Sequence, residues 1–296
     1  MSYFQAIILG LLQGVTELVP ISSLGHTVLL PSWFGWHSLA DAQSQPESFF
    51  LAFVVALHVA TALALLLHYR HTWANIIRGF FTTLRTRRLE TPDERMAWLL
   101  IVATIPVGLF GLILEHPLRV VFAKPVAAAI FLILNGAILV AGERLRRRAP
   151  APVPASVGAA ADGEGEEPGR RLDTLELKEG AVIGVAQTGA LFAGISRSGI
   201  TMVGGLLRGL NHEDAARFAF LLATPVILAA GVYKIPDLLG SLGDGVRGQA
   251  LAGGVAAFIG AWVAVRFLER WFERRNLLPF AAWCIIFGVA SLIRFA

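Results

Sequence analysis

Hydrophobic positions gather into long runs along this chain, and polar positions are mostly confined to the connections between them. Apolar segments long enough to cross about 30 Å of hydrocarbon, or nearly so, fall at 49–69, 97–115, 124–142, 217–235, 250–268 and 278–293. Each predicts a transmembrane helix. Two further apolar stretches, 4–34 and 180–207, are interrupted in the middle by Pro20-Ile-Ser-Ser-Leu-Gly25 and by Gly194-Ile-Ser-Arg-Ser-Gly199. Backbone that leaves the helix at membrane depth must be satisfied by protein or by a wet cavity, so both stretches predict re-entrant helix pairs lining a site. The segments 31–48, 70–95 and 208–217 read as connecting loops. Residues 149–170 are rich in Ala, Pro, Gly and Glu without periodicity, which predicts a flexible polar loop over 149–176.

The two interrupted stretches are related. A shift of 174 aligns Gly10 with Gly184, Gln13 with Gln187, Ile21 with Ile195, Ser22 with Ser196, Gly25 with Gly199 and Thr27 with Thr201. Gln, Ser and Thr are not expected to recur in register inside apolar runs by composition alone. The expected fold is therefore an all-α polytopic membrane protein of six transmembrane helices plus two re-entrant pairs, arranged as an inverted-topology repeat in a single integral membrane domain. Residues 1–148 form the first half and 177–296 the second.

Charge distribution sets the expected orientation. If both interrupted stretches enter and leave on one side, the segments 70–95, 143–178, 208–217 and 266–276 share a face that carries 19 of the 25 Lys and Arg residues. The opposite face and the span ends beside it hold Arg119, Lys124, Lys234, Arg247 and Arg294. The positive-inside rule then puts the basic face in the cytoplasm and both termini outside. Composition agrees with a lipid environment: 55% of residues are hydrophobic and 16% charged, with a mean hydropathy of +0.65. The basic residues sit in short loops without aromatic interleaving, so a nucleic-acid partner is not expected. Cys284 stands alone in an apolar run, which excludes a disulfide framework. The first apolar stretch lacks a basic region before it and a small-residue cleavage site after it, so no cleavable signal peptide is expected.

Chemistry concentrates at the two breaks. Gln13 and Glu17 share a helix face that should end near Val19, since the residue before Pro20 is pushed out of the α region. Ser22, Ser23 and Gly25 follow, and His26 opens the returning helix. An acid and a histidine at membrane depth are costly unless they face a polar cavity or a partner. In the second break, Ser196-Arg197-Ser198 supplies a guanidinium fork suited to phosphate or carboxylate, and Thr201 and a helix N-terminus add donors. Brought together at the midplane of an inverted pair, these groups suit an anionic head group carried by a lipid. Ser23 as nucleophile with His26 as base, or His26 acting on water or on the leaving phosphate, both meet the needs of phosphoryl transfer, with Arg197 on the non-bridging oxygens. Glu17 with Gln13 is a candidate for holding Mg²⁺ or Ca²⁺ alongside substrate phosphate. His58 reads as a packed, hydrogen-bonded histidine, and His68, His71 and His116 as interfacial ones.

The combination Gln13-x-x-x-Glu17, Pro20-x-Ser22-Ser23-x-Gly25-His26 and Gly194-x-Ser196-Arg197-Ser198-x-x-Thr201 resembles the two signature regions of the bacterial undecaprenyl-pyrophosphate phosphatase family, also called the bacitracin-resistance protein family. The resemblance covers nearly the whole chain apart from 149–170. It implies a multi-pass plasma-membrane enzyme that hydrolyses undecaprenyl pyrophosphate to undecaprenyl phosphate and inorganic phosphate, recycling the carrier lipid of peptidoglycan synthesis. It also implies catalytic roles for Glu17, Ser23, His26 and Arg197, phosphate binding by Ser22, Ser196, Ser198 and Thr201, a divalent cation, and a site opening to the outer face. Two positions depart from the family pattern: Gln13 stands where glutamate is common, and Ala193 where the second motif usually begins with proline. The alternative from a different class is a transporter of a lipid phosphate or other anion, because broken helices meeting at the midplane also build many secondary transporters.

Overall fold

The chain is described here by a computed structural model covering residues 1–43, 49–122, 124–148, 169–240 and 243–296. Among the described residues, six helices are long and apolar enough to cross a membrane: α4 (Phe49–His68), α6 (Pro92–Phe122), α7 (Pro125–Arg148), α10 (His212–Leu239), α11 (Arg247–Phe272) and α12 (Leu278–Phe295). The protein is an all-α polytopic membrane protein. Leu112, Val263, Ile286 and Ile293 point outward on these helices, where a water-soluble protein would place charge. The shorter helices are α1 (Tyr3–Leu18), α2 (Ser23–Trp33), α3 (His37–Gln43), α5 (Arg70–Thr86), α8 (Leu177–Ala186) and α9 (Arg197–Leu207). At 16 residues, α1 is about 24 Å long, short of a full crossing.

Lipid tails are as apolar as the helices, so close backbone approach has to hold the bundle together. The contacts show it. α1 lies along α11, and a Cβ at Gly10 or Gly14 would overlap the carbonyl of Gly253 or of Ala257. α8 lies along α6, and a Cβ at Gly184 would overlap the Ala103 carbonyl. α7 meets α12 and α4 meets α10. Phe50, Phe218 and Phe220 are buried in this packing.

Three segments depart from the expected loops, among them 208–217, whose residues from His212 on are the start of α10. The stretch 70–95 contains α5, in which Trp73, Ile76, Ile77, Phe80, Phe81 and Leu84 recur at helical spacing between arginines. Its apolar side packs on α6, where Trp98 Nε1 donates to Thr83 Oγ1 at 2.9 Å. Residues 37–43 form α3 within the expected 31–48 loop. The expected flexible linker also ends earlier than 176. Residues 149–168 and the His116 side chain lie outside the described residues, but from Gly169 the chain is docked. Arg170 makes a two-pronged contact with Glu179 (3.0 and 3.1 Å) and donates to the Arg208 carbonyl at 2.9 Å. Those bonds fix 169–176 against the start of α8 and the end of α9.

Polar side chains tie helix ends on this same side. Glu143 Oε1 accepts from His212 Nε2 (2.7 Å) and from the Leu277 amide (2.8 Å), joining α7, α10 and the start of α12. Tyr69 Oη and His68 Nε2 reach the two oxygens of Glu269 at 2.7 and 2.9 Å, joining α4 to α11.

Candidate active site

Pro20 ends α1 as its ring requires: Val19 leaves the helix with φ −65° and ψ 135°. The chain then turns through Ser22, whose φ of 70° lies in the left-handed region that a residue with a side chain adopts only when its surroundings hold it there. Ser22 Oγ accepts from the Gly25 amide at 3.2 Å and so caps α2. The second break repeats the device. After α8 a 3-10 turn spans Gln187–Leu191, Gly194 takes φ 113°, and Ser196 Oγ caps α9 by accepting from Gly199 N–H at 3.1 Å. The breaks touch each other directly, since a Cβ at Gly25 would meet the Gly194 Cα at 2.9 Å.

Gly194 is therefore constrained twice. Its φ disfavours any L side chain, and a Cβ would press on the Ala128 carbonyl, Phe131 and the Leu132 amide of α7. Gly194→Ala is expected to destabilise the purified protein by about 2 kcal/mol or more, read as a lowered unfolding midpoint in detergent. An unchanged midpoint would show that the breaks are not locked together in this way.

Glu17 sits where the two breaks meet. Its Oε2 accepts from Ser23 Oγ (2.5 Å) and Gln13 Nε2 (2.9 Å), and lies 3.2 Å from His58 Nε2 on α4. Its Oε1 accepts from Arg197 Nη2 at 2.8 Å. The arrangement follows from helix electrostatics. A carboxylate in the last turn of α1 and a guanidinium in the first turn of α9 each occupy the helix end that disfavours their charge. Pairing across the breaks compensates both. Among the described residues, Arg197 Nη1 and Gln13 Oε1 are buried and have no hydrogen-bond partner.

The pairing of Ser23 with His26, one of the arrangements the sequence leaves open, is not made in the structure. Ser23 turns to Glu17, while both ring nitrogens of His26 are engaged elsewhere. Nδ1 donates to the Ser22 carbonyl (2.8 Å) and Nε2 accepts from Trp283 Nε1–H on α12 (2.9 Å). The ring also stacks on Phe287 with centroids 5.1 Å apart. His26 thus fixes the strained Ser22 turn and anchors α2 to α12.

The other hydroxyls expected to bind phosphate are buried and used internally. Beyond the caps made by Ser22 and Ser196, Ser196 and Ser198 pair at 3.0 Å, Ser198 Oγ donates across the breaks to the Val19 carbonyl (3.4 Å), and Thr201 Oγ1 donates to the Arg197 carbonyl (2.9 Å).

Two residues escaped the sequence reading of the site. His58 reads from the sequence as a packed, hydrogen-bonded histidine, and the structure adds that its other ring nitrogen faces Glu17. Asn135 on α7 was passed over, yet it bridges the breaks: Nδ2 donates to the Pro20 carbonyl (3.0 Å) and Oδ1 accepts from the Ser196 amide (2.9 Å). In both cases the available signal was a single polar residue in the middle of an apolar span.

A family model described as "Bacitracin resistance protein BacA" matches residues 6–290. The chain belongs to the BacA family. Among relatives with full-length similarity, the undecaprenyl-diphosphatase of Mycolicibacterium paratuberculosis is 56% identical over 296 residues, covering 99% of this chain and 97% of that protein. Undecaprenyl-diphosphatase 2 of Frankia alni is 52% identical over 338 residues, covering 100% and 98%. The undecaprenyl-diphosphatase of Acidiphilium cryptum is 44% identical, covering 97% and 96%. The BacA match includes both breaks, five of the membrane-spanning helices whole and α12 as far as residue 290.

Proposed function

We propose that this BacA-family chain is an undecaprenyl-diphosphate phosphatase of the bacterial plasma membrane, releasing inorganic phosphate and returning undecaprenyl phosphate to peptidoglycan synthesis. The observation that carries the chemistry is the chain of contacts Ser23–Glu17–Arg197, assembled from two helix breaks far apart in sequence. Ser23 Oγ attacks the terminal phosphorus as its proton passes to Glu17 Oε2, and the bond from that phosphorus to the bridging oxygen breaks, freeing undecaprenyl phosphate. Water then attacks the phosphoserine, releases inorganic phosphate and restores the hydroxyl. Arg197, with Nη1 unpartnered, holds the non-bridging oxygens, and the N-termini of α2 and α9 add positive potential. His26 serves by holding the Ser22 turn. Ser22, Ser196, Ser198 and Thr201 shape the phosphate cradle through the caps and ties they make.

The finer architecture belongs to the same proposal. α1–α2 and α8–α9 are re-entrant pairs of an inverted repeat, supported by the reciprocal packing of α1 on α11 and α8 on α6 and by the matched Gly10 and Gly184 at those contacts. The arginine-rich ends lie in the cytoplasm, both termini lie outside, and the site opens to the outer face. A divalent cation, Mg²⁺ or Ca²⁺, fits as one carried largely by the substrate. Among the described residues no group of three His, Cys, Asp or Glu gathers, and Glu17 already accepts from several donors, but Gln13 Oε1 is a buried acceptor with no partner. Gln13 and Glu17 would supply the protein's oxygens, and the cation would neutralise charge on the diphosphate.

Detergent-purified protein supplied with undecaprenyl pyrophosphate is expected to release phosphate, and Ser23→Ala is expected to abolish release. A chelator arm reads the cation requirement. Folded protein that moves lipid phosphate between leaflets of a vesicle without releasing phosphate would favour the transporter instead.

A further inference from the structure

Arginine and carboxylate side chains tend to pair through two parallel bonds. In this site they do not. Arg197 reaches Glu17 through Nη2 alone, to Oε1, and Nη1, in a buried place, has no partner among the described residues. The reason lies on Oε2, which is occupied by Gln13, Ser23 and His58. Of these, Gln13 comes from Glu17's own helix and Ser23 is the reacting group. His58 is the one fixed from outside the breaks: its Nδ1 is bonded to the Val54 carbonyl one turn earlier in α4 at 2.8 Å, so the ring cannot swing away from Oε2.

We propose that His58 is a positioning residue for the reaction, holding Oε2 of Glu17 toward Ser23 and keeping the Glu17–Arg197 pair one-sided so that Arg197 Nη1 stays available to a phosphate oxygen. The inference rests on the phosphatase reading. Without His58, Arg197 swings onto both oxygens of Glu17. That closure withdraws the proton acceptor from Ser23 and the guanidinium donor from the substrate in one movement. Turnover and substrate binding therefore fall together, although His58 touches neither phosphorus nor its oxygens.

Leucine and glutamine at position 58 separate this role from packing. Leu suits the interior of an apolar span but cannot bond Glu17; Gln suits the span less well but offers an N–H to Oε2. His58→Leu is expected to fold with an unfolding midpoint near that of the native protein and to lose about 100-fold in kcat, with a raised KM. His58→Gln is expected to stay within about 5-fold of native kcat, an amide bond to Oε2 being worth most of what the ring supplies. Native-like kcat in His58→Leu overturns the proposal. So does an equal loss in both variants when both are folded, because the N–H is then not what matters. If the native protein itself releases no phosphate, the phosphatase reading fails, an outcome distinguishable from either result.

Discussion

Replacing Arg197 with Ala is expected to lower phosphate release about a thousand-fold or more, near the upper end of what one preorganised donor contributes. Two effects combine. The phosphoryl group in flight loses the guanidinium that meets its non-bridging oxygens, and Glu17 loses its Oε1 partner while remaining 7% exposed. Removing one member of a buried ion pair costs about 3–5 kcal/mol, so the unfolding midpoint should fall as well. Arg197→Lys separates the two effects. Its ammonium can still neutralise Glu17 and so restore much of the stability, but one compact group cannot bond Glu17 and a phosphate oxygen with separate, fixed prongs. The expected outcome is a Lys variant with a recovered midpoint and turnover still at least 100-fold below native. Recovery of turnover along with stability would reduce Arg197 to a counter-ion.

Glu17→Gln carries the second large effect, a loss of about 100- to 1000-fold in kcat, typical for removing a group that takes a proton in the reaction. The amide keeps the shape of the carboxyl and can still accept from Arg197 Nη2. It cannot take the proton of Ser23, and its NH₂ meets donors already aimed at Oε2 from Gln13, Ser23 and His58. A modest loss of stability, about 1–3 kcal/mol for a buried polar mismatch, should accompany the kinetic loss. Full activity in this variant would mean that the proton of Ser23 goes elsewhere. It would also favour His26 as the group that acts on water or on the leaving phosphate.

Much of the molecule was legible in the sequence because membranes make backbone and charge rules strict. A run such as 49–69 has little alternative to a helix, and the breaks near Pro20 and Gly194 are legible because clusters of proline, glycine and serine interrupt otherwise apolar runs. What escaped reading has a common cause. Hydropathy finds spans but is silent about α5, whose apolar residues alternate with arginines along a helix too polar to cross. Nor does it say which way a lone polar residue faces. His58 and Asn135 were visible as exceptions in apolar spans, but only packing shows that both point at the breaks. The sequence offers His26 as a base for Ser23 or as a group acting on water or the leaving phosphate, and says nothing of what holds its ring. In the structure Nε2 accepts from Trp283, 257 positions along the chain, a distance no local motif reports.

The claim on which these expectations depend is that Glu17 and Arg197, from opposite halves of the chain, work as one unit. The direct measurement is phosphate release from undecaprenyl pyrophosphate by the native protein, Glu17→Gln, Arg197→Ala and the double variant, each checked for folding. Groups that act together lose their effect once either is gone. The expected result is a double variant no slower than the worse single one, within about threefold. Losses that multiply, leaving the double variant slower by the product of the two single effects, would contradict a shared site.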